Sequence, residues 1–448
     1  MSAAPVSFLR SLYFTRFFYY AISAVVGLFV LGFFLPAILF VVKIFFGVLV
    51  LFVLIDMATV FQRKNGVVAS RSMQEKLSNG SENPVYIYLE NHYPFDISAE
   101  VMEELPFQFQ KRDATFRVRV PKDETKVIEY SLRPTQRGVY SFGAINVLVT
   151  GPFQVVKKRY KFGQGQLVPV YPSFIQMRQY ELLAASQKLT ELGIKRIRRV
   201  GHSSEFEQIR NYVAGDDQRT INWKATARRV DLMVNHYQEE KSQQVYCVID
   251  KGRVMEMPFA ELSLLDYAIN ASLVLSNVAL KKEDKAGIIT FSETLGSVLP
   301  AERRSSQLQK ILELLYNQKT RFLESDFERL YVTVRSKIKQ RSLLLLFTNF
   351  ETLNGAQRQL PYLRKLAKHH LLLVVFFENT ETRELLDKPA DSLEAICLKA
   401  IAEKFAFEKR QIVKEFSRHG IQSILTPPEK LTVNAINKYL EFKARGML

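Results

Sequence analysis

The chain has 448 residues and a formal net charge of +17. That length accommodates two or three domains, and the excess of base points to an anionic partner such as a membrane surface, nucleic acid or an acidic protein. The two cysteines, Cys247 and Cys397, each stand in an apolar run. They read as buried reduced thiols, not as a secreted disulfide framework.

From Phe17 to Ile55 the sequence is almost wholly apolar, with Lys43 the one charge. A single helix of that length would reach roughly 58 Å at ~1.5 Å per residue, against a hydrocarbon core of ~30 Å. Two spans fit better, Phe14 to Leu35 and Pro36 to Met57, with Pro36 opening the second helix. Lys43 can snorkel its stem toward the interface. A cleaved signal peptide fits poorly, because the apolar region is too long and no small-residue cleavage site divides it. Arg10 and Arg16 precede the hairpin, and Arg63, Lys64 and Arg71 follow it. The positive-inside rule then puts both outer ends in the cytoplasm. The expectation is a hairpin (residues 1–66) in the cell's inner, cytoplasmic membrane, with the soluble domains on the cytoplasmic side.

Residues 67–172 read as β. "PVYIYLEN", "ATFRVRVP" and "KVIEYSLRP" alternate, and "RGVYSFGAINVLVTGPF" gives two more strands. Short strands punctuated by Gly, Pro and Asn, without helical periodicity, predict an antiparallel β-sandwich domain. His92, beside Tyr93-Pro94, reads as a turn residue.

Residues 173–448 change texture. "QQVYCVID", "KAGIITF", "RSLLLLFTN", "HLLLVVFF" and "GIQSILT" are short apolar strands. Helical stretches separate them, about Phe259 to Leu280 and Asp391 to Arg418 among them. Such alternation predicts a parallel sheet covered on both faces. Ligands of such sheets bind beyond the strand C-termini, here at Asp250, Phe291-Ser292, Thr348-Asn349, Glu378 and Thr426.

Before the first of those strands comes "EFEQIRNYVAGDDQRTINWKATARR", with the chain's only tryptophan. Together with "LMVNHYQEEKSQQVYCVID" it resembles the signature of the domain-of-unknown-function 58 family, at 201–250. The matching residues are Glu205, Phe206, Arg210, Tyr212, Gly215, Asp216, Arg219, Asn222, Trp223, Lys224, Arg228 and Glu240. The upstream "RPTQRGVYSFG" and "GPF" agree with that family's layout. The resemblance implies a von Willebrand factor A-like (Rossmann-like) α/β domain, which carries a metal-ion-dependent adhesion site of hydroxyl and carboxylate ligands. Here Asp250 keeps the first carboxylate. Gly252 and Val254 stand at the two serine positions, Ser325 replaces the threonine, and Asn349 stands for the later aspartate. One carboxylate with few hydroxyls is a poor octahedral site, so no cofactor is expected, with weak magnesium binding at most.

Residues 195–229 hold nine basic and four acidic residues, intermixed. Two readings of the motif follow. In the first, preferred, it is a cap on the sheet, with Arg219 and Arg228 paired to Asp216, Asp217 or Glu240 and the Trp223 indole supplying apolar area. In the second it is a partner-docking surface. The chain has no Walker loop, G-x-S-x-G or H-E-x-x-H, so it is read as no enzyme itself. The family resemblance implies a MoxR-type AAA+ ATPase or other protein partner and an adaptor or assembly role. The alternatives are a membrane-tethered hydrolase or nucleic-acid binding through the basic surface. Anionic lipid accounts for the charge as well, and no nucleic acid is expected.

Overall fold

A computed structural model describes residues 10–110, 114–163, 165–178, 205–213, 218, 221–229, 231–238, 242–320, 322–387, 389 and 392–447. The chain divides into two compact units, Met1–Tyr171 and Pro172–Leu448.

The first unit opens with a short strand, β1 (Leu12–Phe14), and two apolar helices, α1 (Arg16–Phe34) and α2 (Pro36–Phe61). Both are long and apolar enough to cross a membrane. Thr15 caps α1 by accepting from the Phe18 N–H at 3.3 Å, and Pro36 opens α2, where its missing N–H costs nothing. α2 runs one turn past the predicted end at Met57.

Ten further strands follow: β2 (Val67–Met73), β3 (Leu77–Ser78), β4 (Asn83–Asn91), β5 (Ile97–Glu103), β6 (Thr115–Val120), β7 (Thr125–Leu132), β8 (Gly138–Phe142), β9 (Ile145–Thr150), β10 (Val156–Phe162) and β11 (Gln166–Tyr171). They form a five-stranded sheet, β1-β10-β9-β5-β6, and two three-stranded sheets, β2-β4-β7 and β3-β11-β8. Alternate residues of β2, β4, β5 and β9 point into one core, including Val67, Ile87, Leu89, Val101 and Val147, as the period of two requires. The pairing is antiparallel except between β3 and β11. Arg71, read as a basic flank of the hairpin, is instead a core residue of β2, its side chain 7% exposed and paired with Glu103. Arg63 and Lys64 remain exposed.

In the second unit residues 174–178 are helical, and the next described elements form an antiparallel ribbon of β12 (Glu205–Asn211) and β13 (Met233–Gln238), joined through α3 (Trp223–Arg229). Then come β14 (Gln244–Asp250), the small hairpin β15 (Pro258–Phe259) and β16 (Leu262–Ser263), and α4 (Leu264–Lys281). That helix starts five residues later than predicted, capped by Ser263, because Ala260 and Glu261 take positive φ of 45° and 72° in a tight turn. The remainder is β17 (Lys285–Phe291), β18 (Leu295–Glu302), α5 (Gln307–Tyr316), α6 (Phe327–Lys337), β19 (Leu343–Phe347), α7 (Leu353–His369), β20 (Leu371–Phe377), α8 (Thr380–Asp387), α9 (Leu393–Arg418), β21 (Gln422–Thr426) and α10 (Leu431–Ala444).

Six of these strands make one sheet in the order β18-β17-β14-β19-β20-β21. Counted from β14 as the first, the order is 3-2-1-4-5-6, a doubly wound arrangement. Five strands are parallel, and β18 is antiparallel at the edge. One face packs on α4, α5 and α10 through Ile269, Leu273, Ile311 and Tyr439. The other packs on α6, α7 and α9 through Leu330, Leu363 and Phe416. Burial on both faces accounts for the uninterrupted apolar runs "LLLLF" and "LLLVVFF". Cys247 lies inside this core, its thiol pushed up to about 12 by burial. Cys397, expected to be buried too, is exposed on α9.

Candidate functional site

The signature motif is built around Asn222. Its N–H donates to Met233 O at 2.8 Å, and its Oδ1 accepts from Ala225 N at 3.0 Å, capping α3. Its Nδ2 donates to Asn235 Oδ1 at 2.8 Å. Thr226 closes the loop, donating to Asn222 O at 2.9 Å and accepting from Met233 N at 3.0 Å. Tyr212 N donates to Leu232 O at 2.7 Å where the ribbon ends. Glu205 and Phe206 open β12, and Arg210 lies near its end. Gly215, Asp216, Arg219 and Glu240 lie outside the described residues, and with them the predicted Arg219–Asp216 pairing.

The indole departs from the cap reading. Trp223 is 69% exposed as the first residue of α3, so it does not serve as buried apolar area. Asn222 does the fastening, and the tryptophan is left at the surface. Lys224 and Arg228 on the same helix are exposed too. Val213 and Leu232, at the ribbon's end, add further exposed apolar surface.

At the C-terminal edge of the six-stranded sheet, Asp250 ends β14 and is buried. Its Oδ1 accepts from Gly252 N at 2.8 Å and from the Ser325 hydroxyl. Its Oδ2 accepts from Thr348 Oγ1 at 2.7 Å. Burial pushes the carboxyl above the ordinary range, opposed by these three donors. The sequence matched Asp250 and Ser325, and they do meet. Thr348, which was placed only at the sheet edge, is the third partner. Since Thr348 follows β19, its bond to Asp250 bridges the point where the strand order reverses, the usual ligand crevice of such sheets.

The other matched positions go elsewhere. Val254 packs against the core. Asn349 is buried and accepts from Lys409 Nζ at 3.0 Å, while the same ammonium donates to Phe377 O. A side chain at Gly252 would run into Ser325 Oγ and stand 3.1 Å from both Asp250 Oδ1 and Leu323 O. The donor set is thus one buried carboxylate and two hydroxyls already turned to it, with an ammonium on the amide. It does not make an octahedral oxygen site for magnesium. Among the described residues no three His, Cys, Asp or Glu side chains group to hold a metal ion.

Lys409 was missed because it lies 60 residues from Asn349. Burial lowers its pKa to about 8, partly offset by Glu351 and Glu378. The folded value is below the ordinary one, so the native state gives up its proton first. The cost of the buried ammonium is therefore full below about pH 8 and fades as pH rises toward the unfolded value. Lys409→Met should accordingly show its best melting temperature relative to wild type near neutrality. That difference should decline steadily up to about pH 10; a constant difference would show that the ammonium is not destabilised by burial.

Residues 208–392 match the family model described as "Protein of unknown function DUF58". The match runs from within β12 to the residue before α9. An uncharacterized protein, YeaD of Bacillus subtilis, is 28% identical over 190 residues, 41% of this chain and 47% of that protein. The chain thus spans about half the length of this curated relative. Among solved structures, the conserved hypothetical protein BatB from Bacteroides thetaiotaomicron covers 46% of this chain and 100% of its own, at 13% identity and a TM-score of 0.31. The CARDB domain of a Pyrococcus furiosus protein covers 23% of this chain and 86% of its own, at 16% identity and a TM-score of 0.18.

Proposed function

We propose that the chain is a membrane-anchored protein-interaction module that serves a MoxR-type AAA+ ATPase as adaptor or assembly factor, itself without catalysis. The observation that carries this is Trp223, displayed at 69% exposure on a helix that Asn222 fastens down. A large aromatic held on a rigid base is the residue type that dominates binding energy at interfaces. The two apolar helices support anchoring in the cytoplasmic membrane, and the basic residues Arg16, Arg63 and Lys64 at their outer ends support a cytoplasmic placement of both units. The 3-2-1-4-5-6 sheet with Asp250 ending its first strand supports the von Willebrand factor A-like reading. With Asp250 and Asn349 both buried, partner contact is metal-independent and falls on the motif surface, not on the Asp250 carboxylate.

The test uses the purified full chain and the MoxR-type ATPase of the same genome. Trp223→Ala should weaken binding by roughly thirtyfold, equivalent to a ~2 kcal/mol hot spot, with the melting temperature unchanged. Asn222→Ala should do the reverse in stability, costing ~1–2 kcal/mol through the lost cap and side-chain bond. A fall in melting temperature for Trp223→Ala with binding intact would return the motif to a structural role.

A further inference from the structure

Gly151-Pro152-Phe153 joins β9 to β10, and its partner is a carboxylate from the apolar hairpin. Asp56 lies on α2 about one and a half turns before the helix ends at Phe61, and it is 0% exposed. Its Oδ1 accepts from Phe153 N at 3.1 Å, and its Oδ2 from Val155 N at 3.0 Å and Val156 N at 2.8 Å. A Cβ at position 151 would fall on this carboxylate, so only glycine fits. The turn is tight: Gln154 N donates to Gly151 O at 3.0 Å, with Gln154 at φ 59°. Pro152 suits the second position of such a turn, where its fixed φ is already correct and no N–H is needed.

The other end of the hairpin grips the same loop. Thr15, just before α1, donates its N–H to Val155 O at 3.1 Å and its hydroxyl to Gln154 O at 2.6 Å. Carbonyls at the end of α2 are taken up by the sandwich as well. Val60 O accepts from Tyr93 OH at 2.7 Å and Arg63 O from Lys158 Nζ at 2.7 Å.

Helix lengths set the depth. α1 has 19 residues and α2 has 26, or roughly 28 and 39 Å at ~1.5 Å per residue. A hydrocarbon core of ~30 Å takes all of α1 but leaves the last ~9 Å of α2 outside. That excess is the Asp56–Phe61 stretch seated in the sandwich. Phe52, one turn earlier, then lies at the hydrocarbon boundary. The Phe153 ring stands 5.1 Å from the Phe52 ring and is 42% exposed. Arg16, the outermost residue of α1, and Lys64, past the end of α2, are exposed.

We propose that the 151–155 loop is a membrane foot: Asp56 clamps it to α2, and Phe153 lies at the headgroup boundary beside Phe52, with phospholipid as its partner. Anionic headgroups find Arg16, next to the Thr15 that grips the loop, at this boundary. This rests on the reading that the hairpin spans a bilayer. The sandwich is then held to the bilayer surface in one orientation instead of trailing on a linker.

Depth measurement tests it. The full chain carrying Cys397→Ser, with Cys247 buried and unreactive, receives one cysteine, either Phe153→Cys or Val26→Cys in the middle of α1. Each variant is labelled with a polarity-sensitive fluorophore and reconstituted in phosphatidylcholine–phosphatidylglycerol vesicles. The label at 153 should be quenched several-fold more by a lipid nitroxide near the headgroup than by aqueous iodide, and the label at 26 by a nitroxide deep in the acyl chains. A label at 153 open to iodide while 26 is deep overturns the foot and leaves the span. Both labels open to iodide overturn the span and the foot with it. The clamp is read separately from the thermal stability of the full chain in detergent. Gly151→Ala should lower the melting temperature in the wild-type background and add nothing to Asp56→Ala. Two independent, additive losses would show that Asp56 and Gly151 are not in contact.

Discussion

Glu103→Ala is expected to cost the first unit about 3–5 kcal/mol, the size seen when one partner of a buried ion pair is removed. Glu103 ends β5 with its side chain 0% exposed and bonds Arg71 of β2, which is 7% exposed. Its second oxygen accepts from the Tyr130 hydroxyl on β7. Arg71 in turn donates to Gly143 O at 3.1 Å and stands 5.2 Å above the Phe142 ring. Three strands from two sheets therefore meet on one carboxylate. Burial and the Glu103 charge both push the Tyr130 hydroxyl upward, so it stays a neutral donor. Removing the carboxylate strands a guanidinium in a dry site, which costs more than the bond itself was worth. Arg71→Met together with Glu103→Leu should recover most of the loss, because the charge and its partner leave together. Denaturant unfolding of the full chain in detergent measures both. An unchanged midpoint for Glu103→Ala would mean that water reaches Arg71 and the network does not hold the sandwich.

The contrast between Arg71 and the parallel strands shows what a sequence discloses. β19 and β20 were legible because burial on both faces leaves no polar position to obscure them. The hairpin was legible from length alone. Arg71 was misread because a basic residue soon after an apolar span resembles a flank charge, and its acidic partner lies 32 positions away. Asp56 left even less trace: its partners are backbone N–H groups 97 to 100 positions off, which any residue type could supply. β18 escaped notice because Gly296 and Pro300 interrupt it, and an edge strand can carry both. Trp223 was assigned to the cap on residue type, whereas it stands exposed as the first residue of the helix that Asn222 caps. At the sheet edge, Asp250 and Ser325 were singled out from the resemblance, and the structure brings their side chains into contact. Asn349 was matched too, but a lysine from a distant helix takes it up.

The last expected result turns on Gly252. The adhesion-type site of the proposed von Willebrand factor A-like reading has a serine there, and introducing one by Gly252→Ser should damage the second unit instead of creating a metal site. The new side chain would collide with Ser325 Oγ and crowd Leu323 O. Overpacking of this kind costs about 1–3 kcal/mol. Displacing Ser325 from the buried carboxylate adds about 1–3 kcal/mol more. Gly252→Ser with Ser325→Ala should recover stability, since the new hydroxyl can take the place of the old one beside Asp250. Asp250→Asn probes the same centre through pH. Burial holds the Asp250 carboxyl above its ordinary range, so the folded chain keeps that proton to higher pH than the unfolded chain does. Its contribution is complete below the unfolded value and is lost as pH rises through the folded value. The asparagine variant has no such loss, and its melting temperature should gain on wild type from acid toward neutral pH. Magnesium should shift neither protein. A magnesium-dependent rise in the wild-type melting temperature that Asp250→Asn abolishes would mean that Asp250 can leave its three donors for a cation, and the metal-independent reading would fall.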